Sequence, residues 1–213
     1  MEPFKVEQAA APYQSIKSDY GDGLLILKFR PNQSEQHSTQ LPPMRARNPL
    51  YVMAKPPPEV QAAIAALPRN DPSRGNHLLH VTLISLYDLH YAPPDWLLAT
   101  IAALGSFAAA PFPLRFDRIE NRKAVTLRTR EPLAEARAFQ KALVNHLLRE
   151  KAPIMDGTTP EPHITINYRG DRLNAQKMPP IEWTIREIFL IESVVGKTTH
   201  IEHGRWALTP PRD

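Results

Sequence analysis

The 213-residue chain contains no cysteine. That absence excludes disulfides, thiolate nucleophiles, thiolate zinc sites and iron–sulfur ligation together, and it suits a reducing compartment. The chain also lacks any stretch approaching the ~18 uninterrupted apolar residues of a membrane span. Met1 to Pro12 carries acidic residues and no apolar run resembling a signal peptide. The expectation is a cytoplasmic protein with no membrane partner. A nucleoside triphosphatase is excluded by a missing glycine. Gly196-Lys197-Thr198 has the form of the end of a phosphate-binding loop, but Ile191 stands where the loop's first glycine is required. Metal-ligand spacing is equally fragmentary. His77 with His80, and His200 with His203, sit three apart without a matching carboxylate. The first pair falls on an expected strand, where i and i+3 face opposite sides. Neither a metal nor any other cofactor is expected.

What is present suits a folded domain. Hydrophobic residues make up 42% of the chain, and the net charge is +4. A sizeable core is possible at this length, and the mild positive excess is compatible with a phosphate-bearing partner without requiring one. Residues 1–48 differ from the rest. They are polar, with Pro, Gln and Ser scattered through Arg30 to Pro43, and only Leu24 to Phe29 reads as an apolar strand. They are expected to form an N-terminal extension, partly mobile, ahead of a domain at 49–213.

From Leu50 onward the pattern is regular. Tyr51 to Ala54 reads as a strand, and Pro56-Pro57-Pro58-Glu59 opens a helix with Val60, Ile64 and Leu67 on one face. A turn-rich loop, Pro68 to Asn76, precedes an apolar strand at Leu78 to Leu86. Asp95 to Leu104 reads as a helix with Leu97, Ile101 and Leu104 inward. Leu114 to Phe116 and Ala124 to Thr129 suggest a hairpin turning near Asn121 to Lys123. Pro132 opens a helix with Ala136, Phe139, Leu143 and Leu147 facing the core. A turn at Asp156-Gly157 leads to strands at His163 to Asn167, Ile185 to Ile191 and Arg205 to Leu208. One arrangement occurs twice, from Tyr51 to Thr82 and from Val125 to Thr165: a strand, a helix, a loop, then a strand carrying His-x-Thr. The chain reads as two similar halves, each bringing its His-x-Thr to a shared cleft.

The two motifs are His80-Val81-Thr82-Leu83 and His163-Ile164-Thr165-Ile166. Side chains alternate along a strand, so each motif shows an imidazole and a hydroxyl on one face, while Val81, Leu83, Ile164 and Ile166 point into the core. With 8 histidines in the chain, fewer than one His-x-Thr triplet is expected by chance, and three occur. The third, His37-Ser38-Thr39, lies in a polar stretch with no strand pattern. Paired imidazoles suit hydrolysis of a cyclic phosphodiester. Near neutral pH one can accept a proton from water while the other donates one to the departing sugar oxygen. Thr82 and Thr165 can each donate to a phosphate oxygen. Arg122, Lys123, Arg128 and Arg130 make a basic cluster on the expected hairpin, read as a solvated face that can guide RNA.

From about Asn48 to the end, these residues resemble the 2H phosphoesterase superfamily, in its branch of 2′-5′ RNA ligases and RNA 2′,3′-cyclic phosphodiesterases. The resemblance lies in the proline-started helix Pro57 to Leu67, the motifs at Leu79 to Leu83 and Pro162 to Thr165, and a tail at Ile188 to Ser193 with Arg205 to Leu208. It implies a bilobal α+β fold in which two antiparallel sheets with outer helices flank a central cleft, related by a pseudo-two-fold. It also implies a metal-independent enzyme acting on RNA or a nucleotide with a 2′,3′-cyclic phosphate, here expected as a monomer, with 2′-5′ ligation as a possible reverse reaction. Carried over residue by residue, His163 would be the base, His80 the acid, and Thr82 and Thr165 the phosphate-binding groups. The chain departs from the pattern in two places. Many relatives have an arginine five residues after the second motif histidine, where this chain has Tyr168 and then Arg169. The Leu-Gly or Phe-Leu-Gly expected after the first motif is replaced by Ser85-Leu86-Tyr87. Tyr87, Tyr168 and Arg169 are therefore the candidate substrate-binding residues, the tyrosines as stacking surfaces or as ordinary packing residues. Two alternatives stay open: hydrolysis of a small cyclic nucleotide, and a nucleotide or RNA binder that has kept the cleft without turnover.

Overall fold

The computed structural model describes residues 13–20, 24–31, 48–154, 160–197 and 199–210. The turn expected at Asp156-Gly157 and the triplet starting at His37 lie outside them. The chain divides into two compact units, Met1–Arg45 and Ala46–Asp213. In the first, β1 (Tyr13–Tyr20) pairs antiparallel with β2 (Leu24–Pro31), which contains the expected strand from Leu24.

The second unit carries β3 (Pro49–Ala54), α1 (Pro58–Ala65), a 3-10 turn (Asn76–Leu78), β4 (Val81–Asp88), α2 (Pro94–Gly105), β5 (Phe112–Asn121), β6 (Val125–Arg128), α3 (Ala134–Arg149), β7 (Ile164–Asn167), β8 (Gln176–Ile185), β9 (Glu187–Val194) and β10 (Thr199–Ala207). Its strands form one antiparallel sheet in the order β10-β9-β3-β4-β7-β6-β5-β8. The expectation of two separate sheets is corrected here. The halves β10-β9-β3-β4 and β7-β6-β5-β8 are joined through one register pair, Val81↔Ile164. That pair joins the inner edges of β4 and β7 at one point, and the rest of those edges needs other partners. The repeated unit is preserved as β3-α1-β4 and β6-α3-β7, so the two His-x-Thr strands are the ones that meet at the centre.

Beyond that single pair, other groups hold the halves together. The loop after α1 runs along β7. Asp71 N–H donates to the Ile166 carbonyl at 3.0 Å, and Arg74 Nη1 donates to the Thr165 carbonyl at 2.8 Å. Arg69 is buried and grips the Asp171 carboxylate through both Nε and Nη2. From α3, the buried Gln140 donates to the carbonyls of Leu83 and Pro160, both at 2.8 Å. The Leu83 carbonyl needs this donor because the β3–β4 register shifts between Val52 and Met53, leaving Leu83 without a cross-strand partner.

The core follows the sequence periodicity. Ala136, Phe139, Leu143 and Leu147 of α3 are buried, as are Val60 and Ile64 of α1 and Leu104 of α2; Leu67, Leu97 and Ile101 are partly buried against them. Each fully buried aliphatic or aromatic side chain contributes ~1.5–3 kcal/mol. Three elements differ from expectation. Ile185 to Ile191, expected as one strand, breaks at Arg186 into the ends of β8 and β9. β8 starts at Gln176, a segment whose Pro179 and Pro180 argue against a strand. It is an edge strand paired only with β5, and the prolines fall where the β5–β8 register shifts, so their missing N–H groups break no ladder bond. β10 begins at Thr199, ahead of the expected Arg205. Its turn from β9 is closed by Lys197 N–H to the Val194 carbonyl at 3.2 Å, with Gly196 at φ 83°, a conformation that favours glycine. Gly196 thus serves a hairpin.

Candidate active site

The register at the centre of the sheet places the chemistry. Val81 opposes Ile164 in an antiparallel pair, so the positions on either side of it bring His80 opposite Thr165 and Thr82 opposite His163. Val81, Leu83, Ile164 and Ile166 are fully buried, which turns the two histidines and two threonines to the other face. In a regular ladder, side chains at these four positions are spaced about 5 Å across the strands and about 7 Å along them, with the two histidines diagonal to each other. All four line one cleft of ≈ 310 Å³. Each imidazole precedes its strand, at the point where β4 and β7 stop pairing.

Both rings are held in the same way. His80 Nδ1 lies 2.7 Å from the Leu78 carbonyl, and His163 Nδ1 lies 2.8 Å from the Glu161 carbonyl, in each case two residues back. A carbonyl oxygen only accepts, so Nδ1 carries the hydrogen and Nε2 is left as the free base nitrogen. Burial pushes His80 down to about 4, against the Leu78 hydrogen bond, and repulsion of its protonated form by Arg74 and by the other two imidazoles when they carry a proton adds to the effect. His163 is lowered as well, first by burial and then by Arg128, against the Glu161 carbonyl and carboxylate. Both imidazoles are therefore neutral bases at pH 7 in the free protein.

Glu161 is itself anchored. Its carboxylate takes a 2.6 Å bond from Arg128 Nη1 and a 3.4 Å bond from Arg122 Nη1. This revises the basic cluster read from the sequence. Arg128 is buried against Thr126 and Glu161, where it fixes the backbone that orients His163, while Lys123 and Arg130 are exposed. Among the described residues no group of three or more His, Cys, Asp or Glu side chains is placed to hold a metal ion. The two histidine pairs considered as metal fragments separate: His77 is exposed on the 3-10 turn, and His203 Nε2 meets Glu192 at 2.8 Å.

The three secondary candidates have different locations. Tyr168 lines the cleft and is 61% exposed; the Arg74 guanidinium lies over its ring at 4.5 Å and Arg74 Nη2 is 3.4 Å from its hydroxyl. Arg169 is exposed and does not line the cleft. Tyr87 is in the core, not in the cleft. It is 5% exposed, its hydroxyl shares a 2.8 Å hydrogen bond with Thr100, and its ring packs edge-on against Trp96. The β3–β4 register shifts twice: the shift between Val52 and Met53 turns Ser85 to the cleft, and the one between Pro49 and Tyr51 turns Tyr87 back towards Trp96 of α2. Tyr87→Phe is expected to cost about 1 kcal/mol of stability for one buried hydrogen bond, since Thr100 keeps its bond to the Trp96 carbonyl. A urea titration should show that loss, and kcat on the substrate proposed below should be unchanged.

Several cleft residues had no sequence signal. Tyr51, Ser85, Ser193 and His200 line it, and Arg74 bonds Thr165 and Tyr168 beside it. His200 was visible only as half of a metal-like pair, because the polar part of β10 that carries it lies ahead of the strand expected from Arg205. No carboxylate lines the cleft among the described residues, so its polar surface is made of imidazoles and hydroxyls, which suits an anionic ligand.

Comparison with known proteins agrees with this arrangement. Solved structures share the fold. A protein described as a phosphoesterase superimposes with a TM-score of 0.63 at 19% identity, over 76% of this chain and 99% of that one. LigT of E. coli complexed with 3′-AMP gives 0.59 at 19% identity, over 76% and 99%. TT0787 of Thermus thermophilus gives 0.58 at 19% identity, over 77% and 100%. The chain belongs to the 2′-5′ RNA ligase superfamily, whose family model matches residues 56–197. No curated protein sequence matches the chain. No helix among the described residues is long and apolar enough to cross a membrane.

Proposed function

We propose that the protein hydrolyses 2′,3′-cyclic phosphate ends of RNA to 2′-phosphates, with His163 as base, His80 as acid, and Thr82 and Thr165 as phosphate donors. The observation that carries this reading is the pair of imidazoles lining one cleft, each with Nδ1 on a backbone carbonyl and Nε2 without a protein partner. His163 Nε2 takes a proton from water as the water oxygen attacks phosphorus. The bond from phosphorus to the 3′ oxygen breaks, and His80 delivers a proton to that oxygen. The products are a 2′-phosphate and a 3′-hydroxyl, and the histidines exchange a proton with solvent to reset. A low pKa leaves His80 rarely protonated in the free protein, but it makes the protonated form a strong acid. A bound phosphate monoanion favours that form. A 5′-hydroxyl in place of water would give a 2′-5′ linkage by the same proton transfers. Tyr168, held by Arg74, supplies an aromatic face beside the cleft for a base.

That LigT of E. coli has been crystallised with 3′-AMP and with phosphate supports a nucleotide phosphate in a cleft of this fold. The test is to incubate the protein with an oligonucleotide ending in a 2′,3′-cyclic phosphate, in the presence of a chelator, and to identify the product. A 2′-phosphate is expected. A 3′-phosphate would mean that the other oxygen leaves. Faster turnover of a cyclic mononucleotide would move the substrate to small nucleotides, and tight binding without turnover would make the protein a binder.

A further inference from the structure

Two imidazoles account for the proton transfers, but a third stands in the same cleft. His200 on β10 packs edge-on against His80, with ring centroids 5.1 Å apart at 69°. Its hydrogen-bonding situation is the reverse of theirs. His80 and His163 each have a carbonyl at Nδ1. His200 Nδ1 is buried and has no partner. A hydrogen placed there would be a buried donor with no acceptor, an arrangement folded proteins avoid. The hydrogen therefore belongs on Nε2, the nitrogen left to meet solvent or ligand. The ring also stays uncharged: burial and the neighbouring Lys55, Arg74 and His77 push it down to about 4.

We propose that His200 is a third substrate-contacting residue, a neutral imidazole hydrogenated at Nε2 that donates a hydrogen bond to a phosphoryl oxygen of the substrate and transfers no proton itself. The proposal rests on the function proposed above and adds a division of labour among three rings. In the free protein His80 and His163 present lone pairs, and His200 presents an N–H. A donor aimed at the phosphoryl group stabilises charge as it builds on the non-bridging oxygens during attack. His200 also breaks the symmetry of the site. The strand matching β10 in the other half is β8, which contributes no residue to the cleft among those described. A two-fold arrangement of His and Thr presents equivalent surroundings to the two sugar oxygens of a cyclic phosphate, and a single donor on one side makes them inequivalent.

The test joins a structural and a kinetic reading on the full chain. Long-range ¹H–¹⁵N NMR of ¹⁵N-histidine-labelled protein at pH 7, assigned with His→Gln variants, should show His80 and His163 hydrogenated at Nδ1 and His200 at Nε2. Adding inorganic phosphate should shift the His200 Nε2–H resonance. In kinetics, His200→Ala should lower kcat/KM on the cyclic-phosphate oligonucleotide by about 10- to 100-fold. His200→Gln, whose side-chain amide can put an N–H near the position of Nε2, should stay within about threefold of wild type. A His200 hydrogen on Nδ1, an unchanged His200→Ala, or a His200→Gln as slow as His200→Ala would each overturn the proposal. Failure of the wild type to open the cyclic phosphate would refute the function proposed above, while the tautomer and the phosphate shift would still report on His200.

Discussion

Replacing either His80 or His163 by alanine is expected to lower turnover of a 2′,3′-cyclic-phosphate oligonucleotide by at least ~10², because in the proposed mechanism each change removes one end of the proton relay while leaving the hydroxyls of Thr82 and Thr165 in place. The fold should survive both changes. Each imidazole makes one hydrogen bond to a backbone carbonyl, and losing it costs about 1 kcal/mol. The Leu78 carbonyl also keeps Arg74 Nη2 at 3.4 Å. The valine and isoleucine that follow the histidines stay in the core. The double variant should be scarcely slower than the slower single variant, since two groups serving one step do not contribute additively. Single-turnover kinetics beside far-UV circular dichroism decide the matter. Wild-type rates in either folded single variant would sink the mechanism.

The site was readable where it depends on alternation, and hidden where it depends on tertiary geometry. His-x-Thr on an apolar strand forces a face to be shared, so His80 with Thr82, and His163 with Thr165, were paired by sequence alone. The matching strand-helix-loop contexts also brought the motifs together, since consecutive β3-α1-β4 and β6-α3-β7 units must lay their last strands beside their first. The depth of the core in α3 came from its helical period. The sequence did not reveal that one hydrogen-bonded pair would fuse two sheets into one, because that depends on edges meeting across 83 residues. It did not reveal the two register shifts opposite β3 either, the first of which turns Ser85 into the cleft and the second of which returns Tyr87 to the core. The first part of β10, ahead of Arg205, was hidden because an edge strand needs no apolar alternation, and with it His200 was lost.

A similar limit applies to the arginines. Arg128 looked like one of four surface cations, yet its neighbours bury it and make it a support for Glu161 and so for His163. Tyr168, just past the second motif, carries over its ring a guanidinium from the other half of the molecule, Arg74, which is tied by its own bond to the carbonyl of Thr165.

The pH dependence follows from the buried rings. A cyclic phosphodiester is a monoanion across the accessible range, so only the protein titrates. Catalysis needs one histidine neutral and the other protonated, and the singly protonated pair is most abundant between the two pKa values. His80 is pushed to about 4 and His163 is lowered from its ordinary 6.5. The optimum of kcat/KM, which reports the free protein, should therefore lie between about 4 and 6.5 and fall about tenfold per pH unit above it, whichever ring is the acid. Under saturating substrate the bound monoanion favours both protonated rings, so the alkaline limb of kcat should move to higher pH. The stability sign is opposite to that of a salt-bridged histidine. These rings are held neutral in the fold and charge more readily when unfolded, so stability is lost as pH falls from about 6.5 towards 4. Circular dichroism at each pH separates that loss from the acid limb of activity. A kcat/KM that climbs steadily to pH 9 would show that hydroxide or another base drives the reaction, and the two buried imidazoles would then need a different role.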